Sequence, residues 1–417
     1  MKATIGITLA LLTLIVGVAL ATPLELRSPI EWRSVVAADA EPTMGLELPI
    51  PAVDDPTLSS SHSDNIAPHV VTYQRAQVMW WAYAASADGA LLESEADAVV
   101  RNIDPKDEDA CCSARLSQKV LRKLALGRRM EDAYSAAQRY DQLVASIEAT
   151  PIIETAMRLQ DQLMKMAEQA ERLEIPDGDL LQLRQQHWDL VDQAAQQKYA
   201  GAKARQDLAR LTDRPESEVA VAVLVDPLPR MIPNHDGNGV SAAAAVERAL
   251  SQRYDLHAAY ELCRGLRRCN LPAARQLIGI LSPGAGLSFG TVVTGKLLSC
   301  LKDDHSDDDL AARKRQCYQL QESLRSAIRN ETLQAVLDLR LASERLRVIE
   351  QQLGLAEERA SLAAGRVKLD RATPGSDLLL DLEVTALMGN QLERQLRLAI
   401  TIHELHESEG RPLPSVE

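Results

Sequence analysis

The chain has 417 residues, 25% of them charged, with 59 acidic against 46 basic side chains and a net charge of −13. A surplus of that sign offers no basic face to neutralise phosphates, which excludes nucleic acid and anionic lipid surfaces as main partners. Aromatic residues are only 3% of the chain and alanine and leucine dominate its apolar fraction, a mix that favours helices over sheets.

Residues 1–21 read as a signal peptide. Lys2 supplies the positive start, an apolar run extends from Ile5 to Leu20, and Ala19 and Ala21 place small residues before Thr22. The run is shorter than the ~20 residues that span a bilayer, and no cysteine follows it to carry a lipid. The expectation is an exported protein. Residues 22–69 are rich in Pro, Ser and Asp without sustained periodicity, and read as a disordered leader.

Beyond the leader, helices alternate with breaks. Predicted helices cover about 70–101, 113–150, 152–175 and 179–213. A turn-rich link containing DPLPRMIPNHDGNG follows, with VAVAVLVDP at 219–227 as the best strand candidate. Three more predicted helices cover 241–276, 307–372 and 376–409.

The long helix over 307–372 carries the clearest periodicity. Ala335, Leu339, Ala342, Leu346, Ile349, Leu353, Ala356, Ala360, Ala363 and Val367 follow one another in unbroken steps of four and three, the pattern of a coiled-coil seam. A second seam runs through Ile152, Ala156, Leu159, Leu163, Met166, Ala170 and Leu173. A helix over 307–372 is roughly 100 Å long at about 1.5 Å per residue. The rest of one chain looks too short to cover it, so the expectation is that helices of other chains do, with the seam driving self-association.

Each seam ends in a similar phrase, AERLEIPDGDLL at 170–181 and AGRVKLDRATPGSDLL at 364–379. Each closes a seam-bearing helix, turns through Pro176-Asp177-Gly178 or Thr373-Pro374-Gly375-Ser376, and starts a return helix with Asp-Leu-Leu. Thr373 reads as an N-cap with Pro374 at the first helical position. The fold class is therefore mainly α with minor β: duplicated long helical hairpins forming an elongated coiled-coil α-barrel protomer. The first repeat covers 70–215, a linker 216–240, the second repeat 241–410 and a tail 411–417.

In this arrangement the chain resembles the TolC-like outer-membrane efflux proteins over about residues 70–410. RALSQRYDLHAAYELC at 248–263 is similar to the Arg-x-Asp-Leu-x-x-Ala helix that opens the second repeat of that family, and AARQLIGILSPGAGLSFG at 273–290 to its approach to a membrane strand. The resemblance implies a homotrimer enclosing a tunnel, a periplasmic adaptor (a membrane fusion protein) and an inner-membrane transporter as partners, and a place in the periplasm or outer membrane of a Gram-negative-type cell. It implies adaptor docking at the two turns, Pro176, Asp177, Gly178 and Asp179 with Arg371, Ala372, Thr373, Pro374, Gly375 and Ser376. It also makes Asp377 and Asp381, four apart on one helix face, candidates for the acidic tunnel entrance.

Tyr254 stands where the family usually has proline, and Asp370 where it has glycine. The larger departure is at the two places for membrane hairpins. NIDPKDEDACCS at 102–113 is polar throughout, and GLSFGTVVTGKLLSCLKDDHSDDD at 286–309 holds one short apolar stretch before an acidic run. The expectation is little or no barrel, which leaves a non-transporting periplasmic helical scaffold derived from the same family as the alternative function.

The remaining motifs read blandly. Gly290 to Lys296 imitates a phosphate-binding loop, but Leu297 stands where Ser or Thr must hold magnesium. His403 and His406 are three apart, not four as in a metalloprotease helix, and read as a solvated helix face. The acidic run from Asp303 to Asp309 reads as a solvated helix start. The six cysteines show no paired CxxC; a Cys300–Cys317 bridge across a loop is one open pairing. No cofactor, metal or enzymatic activity is expected.

Overall fold

The computed structural model describes residues 72–101, 103–171, 178–231, 240–281, 307–368 and 375–415, with the backbone alone for residues 170, 171, 178, 179 and 368. The first repeat begins with a two-residue strand β1 (Thr72–Tyr73) and two short helices, α1 (Arg75–Ala85) and α2 (Ala87–Arg101). The 64-residue α3 (Glu108–Glu171) follows, and the 35-residue α4 (Gly178–Thr212) returns along it. The link holds α5 (Glu216–Val221) and β2 (Val223–Leu224), which pairs in parallel with β1. The second repeat has three short helices, α6 (Ala242–Gln252), α7 (Tyr254–Gly265) and α8 (Leu271–Leu281). It ends with the 62-residue α9 (Asp307–Lys368) and the 33-residue α10 (Ser376–Ser408). The near-equal lengths of the two long helices and of the two return helices make the duplicated hairpin explicit.

The boundaries differ from the sequence reading where local chemistry intervenes. One expected helix over 70–101 is cut at Ser86, whose Oγ accepts the Gly89 N–H at 3.1 Å and so caps α2. The expected helix over 241–276 is cut at Arg253, where the backbone is extended (φ −65°, ψ 127°), and again at Leu266. Conversely, Pro151 does not end a helix: it sits inside α3. Its missing N–H frees the carbonyl of Ile147, an exposed residue, and the Thr150 hydroxyl binds the neighbouring Ser146 carbonyl at 3.2 Å. Of the strand candidate at 219–227, only Val223–Leu224 is strand, and Val219 to Val221 close α5 instead.

The long helices and their returns lie side by side in the order α4, α3, α10, α9, an open strip with α4 and α9 at its edges. In the half nearer the turns, the α9 seam is buried from Ala335 to Ala360, with Ala363 and Val367 half-buried. It packs against Leu387, Leu398, Ile402 and Leu405 of α10. This corrects the expectation that other chains cover the seam. The return helix runs along that half of α9, so the seam is satisfied within one chain. On α3, Ala156, Leu159 and Leu163 are buried and Ile152 and Met166 half-buried, whereas the side chains of Ala170 and Leu173 lie outside the description.

The half farther from the turns is covered differently. There α1 and α2 pack on α3, while α7 and α8 lie against both α3 and α9. Leu256, Leu262 and Leu277 join Leu116 and Val120 of α3 to Leu320, Leu324 and Ile328 of α9 in one apolar cluster. The connection from α2 to α3 is residues 102–107 alone. Two membrane-spanning strands need about 20 residues, so the first repeat has no room for a barrel hairpin there. The second candidate, 286–306, lies outside the described residues, as does the loop-like Gly290 to Lys296. Among the described residues no helix is long and apolar enough to cross a membrane.

Because Leu346 is buried within one chain, Leu346→Ala is expected to cost about 3 kcal/mol of stability, and Glu357→Ala on the exposed face less than about 0.5. Urea unfolding followed by circular dichroism measures both; equal midpoints for the two variants would contradict the seam packing.

Candidate functional site

At the turn end of the strip, Gly375 is the N-cap of α10 and has φ 86°, a left-handed conformation that glycine adopts without strain. Its carbonyl accepts the Leu379 N–H at 3.1 Å, so the helix starts at Ser376. That corrects the reading of Thr373 as N-cap and Pro374 as first helical residue: the left-handed turn at Gly375 separates them from the helix. A Cβ on Gly375 would stand 3.2 Å from Met166 Cε and 3.9 Å from Leu163 Cδ2, which places Gly375 itself against the last turns of α3. Pro176, Asp177, Arg371, Ala372, Thr373 and Pro374 lie outside the described residues, and Gly178 and Asp179 are described only as the backbone that starts α4.

Asp377 is half-buried in the first turn of α10 and Asp381 is exposed one turn later. Their spacing sets both on one face, as the sequence suggests. Neither carboxylate meets a hydrogen-bond or ion-pair partner among the described residues.

A second polar assembly sits at mid-length, where the return helices end. Asp141 of α3 is fully buried; Arg75 of α1 donates to its Oδ1 from Nη2 at 2.6 Å and from Nε at 2.8 Å. His403 of α10 places Nε2 at 2.8 Å from its Oδ2. The reading of His403 as solvated is therefore wrong. Glu409, also fully buried, receives Arg248 of α6 at 2.6 Å and a bond from Arg411. Arg253 binds Asp255 at 2.8 Å and Glu331 of α9 at 2.7 Å. Burial, then the positive charges of Arg411, His403 and Arg248, push His406 down to about 3. Burial, then the carboxylates Glu131 and Glu331, push Glu407 up to about 8.

No protein-family model matches the sequence, and no curated protein does. Solved structures match over most of the chain. The outer-membrane channel OprN is 14% identical, with 81% of this chain and 90% of that chain covered at a TM-score of 0.58. The open state of the MtrE outer membrane channel of Neisseria gonorrhoeae is 13% identical, with 81% and 88% covered at 0.54. The outer membrane protein VceC of Vibrio cholerae is 13% identical, with 81% and 93% covered at 0.51. The chain has the TolC-like fold.

This TolC-like chain carries features that the sequence reading missed. Cys112 of α3 is disulfide-bonded to Cys269, in the short 3-10 turn before α8, with the Cα atoms 6.1 Å apart. The open Cys300–Cys317 pairing is not found: Cys317 is a buried free thiol beside Cys263, and Cys300 lies outside the described residues. The acidic start of α9 is ion-paired, with Asp309 at 2.6 Å from Arg275 and 3.3 Å from Arg313, and Asp307 bound to Arg268. Its first members, Asp303 to Ser306, lie outside the description. Apart from Arg313, which follows Asp309 by four residues on α9 itself, these partners come from other elements, so spacing along one helix does not announce them. Two local signals exist, the spacing of four between Asp309 and Arg313 and the acid Asp141 placed between Tyr140 and Leu143 of a helix rich in alanine.

The two perturbed groups give a pH dependence of definite sign. The fold keeps a proton on Glu407 that the unfolded chain releases, so this contribution is present below pH 4.5 and lost as pH rises to about 8. His406 stays neutral in the fold while the unfolded chain binds a proton, so stability is lost as pH falls from 6.5 to about 3. Between them the two oppose each other at intermediate pH and leave the window from 6.5 to 8 to Glu407. Stability is expected to fall by about 1–2 kcal/mol across that window, and Glu407→Gln to remove the fall. Melting temperatures of both proteins at the two ends of the window test this; parallel slopes would refute it.

Proposed function

We propose that this chain is the protomer of a homotrimeric periplasmic helical conduit, an outer-membrane efflux or secretion component that works with a periplasmic adaptor and an inner-membrane transporter. The observation that carries the reading is the apolar character of both open edges of the strip. Along α9, Leu337, Leu341, Val348, Leu355 and Leu362 are exposed on a face other than the filled seam, at steps of four and seven. Along α4, Leu181, Trp188 and Tyr199 are exposed, Trp188 by 67%. A strip with two unlike sticky edges associates head to tail, and such contacts make a ring when the rotation closes. The TolC-like fold supports a ring of three.

In that assembly Asp377 and Asp381 of the three protomers form carboxylate rings at the turn end, which favour cations and resist anions. The two turns, 176–179 and 371–376, form the adaptor-docking rim; the seating of Gly375 on α3 supports their joint presentation. No chemistry is catalysed. The domain division follows the same reading, with repeats at 70–215 and 241–410, the linker 216–240 between them, and an exported chain that loses 1–21.

A second reading, a periplasmic scaffold that has lost transport, is favoured by the short 102–107 connection, which leaves no barrel hairpin in the first repeat.

Light scattering in mild detergent tests the assembly: a trimer is expected for the native chain, and a helical monomer for the pair Trp188→Asp with Leu362→Asp. A native chain that is monomeric at every concentration rules the conduit out. Alkaline carbonate extraction separates the two readings of the membrane end. A chain without a barrel is expected to leave the membrane fraction, whereas an embedded protein that conducts in a planar bilayer would be an ordinary channel.

A further inference from the structure

The apolar cluster at the end of the strip away from the turns contains two thiols besides the disulfide. Cys317 of α9 is fully buried, and Cys263 of α7 is half-buried against the same cluster, beside Leu262, Leu266, Leu320 and Leu324. Both side chains belong to one cluster, and each thiol is the leading influence on the other's titration, raising Cys263 and lowering Cys317. Two packed cysteines also serve as small apolar side chains, and that is the bland account of the pair. Against it stands the neighbourhood: Cys269, six residues after Cys263, is already oxidised with Cys112. Two further thiols packed in one cluster in an oxidising compartment do not persist as thiols unless access is blocked, and Cys263 is partly open. Among the described residues no group of three His, Cys, Asp or Glu side chains gathers to hold a metal, so the pair is not part of a metal site of that kind.

We propose that Cys263 and Cys317 are a second disulfide site, oxidised by a disulfide oxidant of the compartment that receives the chain. The Cys263 sulfur attacks the external disulfide, forms a mixed disulfide and releases one thiol, which carries away the Cys263 proton. The Cys317 thiolate then attacks the Cys263 sulfur and expels the second external thiolate, which takes the Cys317 proton. Two protein thiols are oxidised and one external disulfide is reduced to two thiols.

The surroundings assign these roles. Cys263 is the sulfur an oxidant can reach, but its hydrogen bond to Cys317, together with burial, holds its thiol well above the usual range, so capture is the slow step. Cys317 is out of reach, yet the same hydrogen bond and the charge of Arg313, one turn earlier on α9, favour its thiolate against burial. It is placed to resolve rather than to capture. The product joins α7 to α9. With Cys112–Cys269 joining α3 to the turn after α7, both long helices become covalently linked through one short segment, residues 263–269. The proposal does not depend on trimer formation.

The test uses the full-length exported protein with oxidised glutathione as the probe, followed by alkylation of remaining thiols under denaturing conditions and peptide mapping by mass spectrometry. The expected map contains linked Cys263 and Cys317 peptides in addition to linked Cys112 and Cys269. Cys317→Ser is expected to accumulate a glutathione adduct on Cys263, because nothing resolves it, and Cys263→Ser to leave Cys317 an unmodified thiol. A native protein in which Cys263 and Cys317 are both alkylated after prolonged exposure overturns the proposal. So does one in which Cys263 is linked to Cys111 or Cys300. If the linked pair forms but Cys317→Ser carries no adduct, the assignment of Cys263 as the capturing sulfur is overturned.

Discussion

A helix of 62 residues returned upon by one of 33 has to change its cover half-way along, and this mismatch organises the whole chain. Near the turns, α9 rests on α10; beyond Ser408 it rests on α7 and α8. The same exchange occurs on α3. Where one cover stops and the next begins, helix ends meet a continuous helix in the interior, and their last carbonyls need donors. The N–H groups of Glu409, Gly410 and Arg411 supply several by turning back on α10. The buried carboxylates Asp141 and Glu409 then collect arginines and a histidine from four other places in the chain. Buried ion pairs of this kind add little net stability but are costly to break one partner at a time. Their effect is to fix how far each short helix may slide along the long one.

Close approach of the helices rests on small side chains. Gly201 of α4 sits so near Ser146 of α3 that an added Cβ would collide with the serine hydroxyl. Gly389 of α10 faces Ile152 of α3, where a Cβ would stand 3.9 Å from the isoleucine methyl. A glycine inside a helix costs about 1 kcal/mol against alanine, so Gly201 is kept at the expense of helix propensity by the contact its absence of a side chain permits. The alanines of both seams act in the same direction. The larger apolar residues Trp188, Leu355 and Leu362 are left on the edges of the strip.

The sequence revealed the parts of this that are periodic or local. The α9 seam was legible because ten alanines, leucines, isoleucine and valine keep one rhythm, and the turns because proline and glycine interrupt it. The one-face placement of Asp377 and Asp381 follows from helical spacing alone. What the rhythm does not state is its partner: a seam reads the same whether α10 or another chain fills it. Pro151 reads as a break because its local cost is real, yet packing of α3 against α4 and α10 holds the helix through it. The break at Ser86 was missed for the opposite reason, since a single side-chain bond to Gly89 outweighs an otherwise acceptable helical run. Asp141 and His403 are 262 residues apart, and nothing near either one names the other.

The bond between Cys112 and Cys269 spans 157 residues and encloses all of the first hairpin but the opening turn of α3. Synthesis runs from the N-terminus, so α3 and α4 are complete long before Cys269 exists. During that interval Cys112 is without its partner, and Cys111 stands next to it in the chain with its sulfur turned to the carbonyls of Asp104 and Pro105 at 3.7 and 3.9 Å. The order of manufacture thus sets a requirement that the finished molecule no longer displays: the first hairpin must find its register unaided, and the late-arriving cysteine must choose between two adjacent thiols. The Asn270 side chain, which donates to the Gly265 carbonyl at 2.8 Å and lies 3.6 Å from the Cys112 sulfur, is a second local feature that distinguishes them.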